Sequence, residues 1–229
     1  MRMRKKKYLD ERLEAVSDIL FISNLEDRNF NTASKKKEFI DFDNWFHLSS
    51  PYMLEIGCGK GGFALEFARR NPNINLIAVE KDANVIVSAC EKVKESGIKN
   101  VRFIKCSAEY LPKYIKPHSI NRIFLNFSCP FPKSKYAAHR LTHPRFLEIY
   151  KELMSNGAEI HQKTDNMGLF EFSIESLSGS GFALKNVSLD LHNSSFEGNI
   201  ETEYEHKFAS LGLPIYRLEA YIAGGKADD

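Results

Sequence analysis

The sequence predicts an α/β protein built on a mostly parallel sheet with helices on both faces. Three observations carry that prediction. Short apolar runs alternate with stretches of helical periodicity after residue 50, a glycine-rich turn joins the first such run to the first such helix, and the composition is that of an ordinary globular chain. Of the 229 residues, 43% are hydrophobic and 27% charged, which argues against disorder along most of the chain. A chain of this length can bury most of the surface it exposes when unfolded.

The elements follow in order. Residues 52–56 form an apolar run that ends at glycines and read as a strand. Over 63–70, Phe63, Phe67 and Ala68 share one side of a helix. A second strand at 76–79 and a second helix at 84–96, closed by Gly97, come next. Strands at 101–104 and 120–125 lead to a helix at 144–155 with Gly157 as its stop signal. A strand at 158–163 and a helix at 168–177 follow, and strands at 182–191 and 215–222 flank a helix near 203–211. Residues 1–50 read as a basic extension with a helical lead-in, and 51–229 as the domain proper.

The 32 Lys and Arg against 30 Asp and Glu leave a formal net charge of +2. The basic residues cluster, however: Arg2, Arg4, Lys5, Lys6 and Lys7, then Lys35 to Lys37, then the stretch from Lys133 to Arg145. Charge placement governs attraction to a polyanion better than net charge does, so a nucleic acid is the expected partner. The basic start resembles the head of a secretion signal, but Asp10, Glu11, Arg12 and Glu14 follow where an apolar stretch would be needed. No run approaches the roughly 18 apolar residues of a membrane span, so no membrane partner is expected. Cys58, Cys90, Cys106 and Cys129 form no Cys-x-x-Cys pair and have no His at zinc-ligand spacing. Isolated thiols fit a reducing, cytoplasmic setting, and no metal is expected.

Gly57, Gly59 and Gly62 have the G-x-G-x-x-G spacing between a strand and a helix, and Glu80 ends the next strand where a ribose-binding acid is expected. That much suits a dinucleotide as well as S-adenosylmethionine. Glu55, two places before the first glycine, separates them. A pyrophosphate would be repelled by a carboxylate there, whereas the ammonium and sulfonium of S-adenosylmethionine would be attracted. A nucleotide-dependent oxidoreductase is disfavoured for that reason. Beyond the fourth strand, Pro130 and Pro132 stiffen a segment in which Phe127 and Phe131 can stack on a base, and Lys133, Lys135 and Arg140 can meet phosphates.

Three groups of residues carry a resemblance to a known family. They are Glu55-Ile56-Gly57-Cys58-Gly59-Lys60-Gly61; Leu125-Asn126-Phe127-Ser128 with Pro130, Pro132 and Lys133; and Arg140-Leu141-Thr142. Lys163-Thr164-Asp165-Asn166, Asp190-Leu191-His192, Thr202-Glu203-Tyr204-Glu205 with Lys207-Phe208, and Pro214-Ile215-Tyr216 continue it in order over nearly the whole chain. In these residues the sequence resembles the bacterial tRNA (guanine-N7-)-methyltransferases. The resemblance implies a Rossmann-like S-adenosylmethionine-dependent methyltransferase domain over 51–229, acting on a guanine in the variable loop of tRNA. Glu55, Gly57, Gly59, Glu80, Ser107 and Cys129 are then the expected cofactor site. Lys133, Asp165, Thr202, Glu203, Tyr204 and Glu205 are the expected substrate contacts, and the basic N-terminus resembles an arm ordered only on tRNA. Monomer and homodimer both remain open.

The chain departs from the family where chemistry is expected. Ser107 stands where the family has an acid, and Cys129-Pro130-Phe131 where it has Asp-Pro-Trp; that Asp is treated as catalytic or substrate-binding. Lys135-Tyr136 replaces an Arg-His pair, and His139 an Arg. Guanine N7 bears a lone pair and no proton, so its attack on a sulfonium methyl needs no general base. The expected loss at Cys129 is therefore in gripping the N1–H and N2–H edge of guanine. A non-catalytic tRNA-binding protein of the same fold and a methyltransferase with a changed substrate are the alternative readings. Asp165 as a helix cap, and Thr202 with Glu205 as a capping box, are the plain structural accounts of those residues. His161 and His192 receive no role.

Overall fold

Short apolar runs alternating with amphipathic helices set the framework of the chain. The computed structural model describes residues 6–23, 36–47 and 49–223; the basic residues Arg2, Arg4, Lys5 and Lys35 lie outside the described residues. The chain divides into two compact units, Met1–Lys116 and Pro117–Asp229.

The first unit contains α1 (Leu9–Glu14), β1 (Leu20–Ile22), α2 (Phe42–Phe46), β2 (Tyr52–Ile56), α3 (Gly62–Arg70), β3 (Asn75–Val79), α4 (Ala83–Ser96), β4 (Val101–Lys105) and α5 (Leu111–Tyr114). Its strands run parallel in the order β1-β4-β3-β2. Every residue of β3 and β4 is buried, as parallel strands covered on both faces require. Phe63, Ala64, Phe67 and Ala68 give α3 the buried stripe its spacing predicts. Helix α4 starts where the Asp82 carboxylate accepts from the Asn84 amide, and it stops at Gly97 in the left-handed region.

Part of this unit comes from the lead-in. Leu20 pairs with Phe103, so residues 20–22 form an edge strand that their short apolar run does not announce. Arg12 holds Glu91 of α4 through two hydrogen bonds of 2.6 Å, and Lys6 donates to Asn84 and Ser88 on the same helix.

The second unit contains β5 (Ile120–Asn126), α6 (Pro144–Leu153), β6 (Met154–Thr164), α7 (Met167–Gly179), β7 (Phe182–Ser188), α8 (Glu203–Ala209) and β8 (Tyr216–Ile222), with a 3-10 turn at Ser134–His139. Its strand order is β5-β6-β8-β7; β5 and β6 are parallel, and β8 is antiparallel to both β6 and β7. The sequence places the end of α6 at 155 with Gly157 as the stop, and this is corrected. The helix ends at Leu153, and Met154 already pairs with Ile120 in β6. Gly157, with φ of 70°, lies where the register jumps between Ile120 and Arg122, so it serves an irregularity of the strand. Strand β7 likewise ends at Ser188 rather than at 191.

Gly61 shows how the glycine turn is built. Its φ is +74°, and a Cβ there would stand 2.8 Å from Cβ of Ala89 on α4. Gly97 shares that φ but has open space around it. Gly61→Ala should therefore destabilise the protein by about 3 kcal/mol, combining backbone strain with overpacking, and Gly97→Ala by about 1 kcal/mol. Urea unfolding of both variants checks this; equal losses would remove the packing explanation.

Candidate functional site

In the first unit the acceptor groups collect at the C-terminal ends of adjacent parallel strands. Glu55 stands one residue before the end of β2, opposite Ala78, and is 2% exposed. Glu80 follows β3; its amide donates to the Ile104 carbonyl, and its Oε1 accepts from the amides of Lys81 and Asp82. The glycine turn lies beside them, with Gly57 and Cys58 both donating to the Val79 carbonyl. A Cβ at Gly57 or Gly59 would meet nothing within 4 Å, so the turn presents bare backbone to open space. Burial pushes the Cys58 thiol up, and the Glu55 and Glu80 carboxylates push it further.

Ser107 follows β4. Its hydroxyl donates to Oε2 of Glu109 at 2.5 Å. A carboxylate therefore stands two residues beyond the serine, a group that sequence reasoning passed over because it lies off the expected position. Together these side chains form an acceptor-rich set of carboxylates and a hydroxyl around exposed turn backbone. Such a set suits a cation and a ribose diol and repels a pyrophosphate. The residues present therefore fit S-adenosylmethionine.

In the second unit three segments converge: 127–133 after β5, 163–165 at the end of β6, and 199–205 leading into α8. The Phe127 amide donates to the Lys163 carbonyl at 2.9 Å. Lys163 itself is 6% exposed, and its Nζ donates to Oε2 of Glu205 at 2.6 Å, Oδ1 of Asn199 at 2.9 Å and the Ile200 carbonyl at 2.8 Å. Oε1 of Glu205 accepts from Asn199 at 2.6 Å and lies 3.2 Å from Nε2 of His192. All three protons of the ammonium are thus placed, as a buried lysine requires.

This arrangement sorts the expected substrate residues. Glu205 is fully buried, so its carboxylate acts inside the fold. Thr202 caps α8 by accepting from the Glu205 amide, but the reciprocal half of the capping box is replaced by the Lys163 pair. Asp165 does not cap α7; Asn166 does, accepting from the Leu169 amide at 2.8 Å. Tyr204 is 51% exposed, with its ring 5.5 Å from Phe127 and 4.8 Å from Phe208. Burial of its hydroxyl, and then the neighbouring Asp165 and Cys129, raise its pKa, so these three residues share one locality. Cys129, Lys133 and Glu203 are exposed. Sequence reasoning missed Lys163, Asn199 and His192 as supports; Lys163 follows Glu159, His161 and Gln162 in a strand of mixed polarity, so nothing local marks it.

Among the described residues, one group of ligating side chains gathers elsewhere: Glu159, His161 and Glu219 lie within 4.8 Å of one another. Lys185 pairs with Glu159, Arg217 with Glu219, and Arg122 approaches Glu159 at 3.4 Å. Burial pushes the Glu159 carboxyl up, yet hydrogen bonds from Lys185 and His161 hold it at about 2. These groups form a charge network across β6, β8 and β7.

A family model described as "Putative methyltransferase" matches residues 49–218. A tRNA (guanine-N(7)-)-methyltransferase of Bacillus subtilis (strain 168) is 46% identical over 219 residues, covering 96% of this chain and 98% of that protein. One from Macrococcus caseolyticus (strain JCSC5402) is 42% identical over 220 residues, covering 96% and 99%. Among solved structures, the 16S rRNA methyltransferase KamB superposes with a TM-score of 0.59 at 16% identity, covering 81% of this chain and 95% of that one. The last comparison shows the Rossmann-like methyltransferase fold.

Removing Glu205 would leave the Lys163 ammonium buried beside a neutral gap. Glu205→Ala should cost about 3 kcal/mol or more in unfolding free energy, and the double variant Lys163→Met, Glu205→Leu should recover most of it. Denaturant titration of the three proteins checks this; a loss below about 1 kcal/mol for Glu205→Ala would contradict it.

Proposed function

The chain belongs to the tRNA (guanine-N7-)-methyltransferase family, and from that premise we propose how its residues divide the work of methylating N7 of a guanine in the tRNA variable loop. S-adenosylmethionine supplies a methyl group on a cationic sulfur. In the first unit, Glu55 holds the cationic end of the cofactor, Glu80 accepts from the ribose hydroxyls, and Gly57 and Gly59 keep the turn open to it. Ser107, backed by Glu109, accepts from the adenine amine. The single observation that carries this reading is the acceptor-rich set around a bare glycine turn, which suits a cationic ligand.

In the second unit, Tyr204 and Phe127 offer aromatic faces for stacking, and Asp165 lies beside them as an acceptor for the guanine edge. Lys133 meets a phosphate. Thr202 and Glu205 act by setting the start of α8 rather than by touching RNA, and Glu203 is the exposed acid of that turn. Guanine N7 forms its new bond to carbon as the sulfur–carbon bond breaks, and no proton leaves the base. No side chain is then required as a general base; alignment of the reacting atoms carries the rate. Cys129 stands beside the base edge as a weak acceptor. The basic residues supply sequence-independent affinity, so binding falls steeply with salt. The four cysteines pair with none of their own kind in the fold, which supports a cytoplasmic setting.

Incubation with methyl-labelled S-adenosylmethionine and tRNA lacking N7-methylguanosine, followed by nucleoside analysis, should place the label in N7-methylguanosine. Intact tRNA binding without label would show that the fold holds RNA without transferring methyl. Cys129→Asp should raise kcat/KM by about tenfold, because a carboxylate grips the N1–H and N2–H edge where a thiol does not. Cys129→Ser should stay within about threefold of the parent.

A further inference from the structure

Arg140 lies in the basic stretch that leads from the 127–133 segment to α6, a place that suggests a phosphate contact. Its guanidinium is engaged otherwise. Nε donates to the Pro130 carbonyl at 3.1 Å, and Nη2 donates to the Phe131 carbonyl at 3.1 Å. The plane lies 4.5 Å from the centroid of the Phe172 ring on α7. Two carbonyls on consecutive peptide units and an aromatic face together match the planar fork of an arginine and exceed what a lysine can satisfy.

The backbone between these contacts explains the need for them. Phe127 and Phe131 have φ of 51° and 42°, in the left-handed region that residues with a Cβ enter only at a cost. Phe131 also precedes Pro132, which restricts it further. Such conformations persist where the surroundings over-determine them. Phe127 is fixed by its hydrogen bond to Lys163 and by the Tyr204 ring. At the other end stand Arg140 and the His139 ring, 5.5 Å from that of Phe131. Cys129 sits between the two anchors, and Lys133 follows the second.

We propose that Arg140 is a positioning residue: it clamps the turn at Pro130 and Phe131 and thereby sets where Cys129 and Lys133 stand, without binding phosphate itself. Its consequence for methyl transfer rests on the function proposed above; the clamp does not.

The test uses the full chain with Arg140→Lys and Arg140→Ala. Hydrogen exchange over residues 127–133 should quicken by at least about tenfold in both variants, while the β5 amides, which report folding, keep the parent's protection. Single-turnover methyl transfer should fall by about tenfold or more in both. The slope of log Kd for tRNA against log salt should match the parent's. Unchanged exchange in the segment would overturn the clamp. So would an Arg140→Lys that is kinetically like the parent beside an Arg140→Ala whose salt slope drops by about one, the signature of a lost phosphate contact. Unaltered methyl transfer despite faster exchange would overturn the positioning role. If the parent itself transfers no methyl, the exchange and salt measurements still decide the clamp, so the two readings fail separately.

Discussion

A lysine ammonium taken out of water at the end of β6 is the constraint on which the second unit's site depends. Lys163 must find acceptors for three protons, and it finds them on Glu205, Asn199 and the Ile200 carbonyl, all in the segment that leads into α8. Anchoring that segment fixes where α8 begins. With Glu205 turned inward, its neighbour Tyr204 is turned outward beside Phe127. The Lys163 carbonyl meanwhile receives the Phe127 amide, so one residue fixes both the β5 exit and the start of α8. A hydrophobic pair could fill the same volume, but it would not specify the register of an irregular segment as a fully hydrogen-bonded ion pair does.

The contrast in charge is local, confined to the segments at the strand ends, and it suits a cationic donor on one side and an anionic nucleic acid on the other. Carboxylates cluster at the strand ends of the first unit, and the Cys58 thiol there is held protonated by burial and by those charges. The segments after β5 in the second unit carry Lys133, Lys135 and Arg145 together with exposed aromatic rings. An N7 nucleophile needs neither deprotonation nor a covalent intermediate, so most of the design goes into holding parts still.

Much of the fold was legible because its signals are local. The apolar runs of β2 to β5, the stripe on α3 and the stop of α4 follow from periodicity and from Gly97. Glu55 and Glu80 were legible for the same reason, since strand ends and glycine spacing place them. What the sequence misled on was set by tertiary partners. Gly157 looks like a helix stop because an irregular strand and a helix end both need a left-handed residue. Residues 20–22 gain a strand only from β4. Glu205 reads as the acid of a capping box until Lys163, 42 positions away, claims its carboxylate. Arg140 reads as a phosphate ligand until the carbonyls of Pro130 and Phe131 are in view. Long-range hydrogen bonding leaves no local trace in composition or spacing.

The central claim is that positioning, and no acid or base, carries the methyl transfer. The most direct measurement is the single-turnover rate at saturating cofactor and tRNA between about pH 7 and about pH 8.5. Positioning alone predicts a rate that stays flat across that range. A rate that climbs about tenfold for each pH unit would show that a side chain must lose its proton first, and would contradict the account.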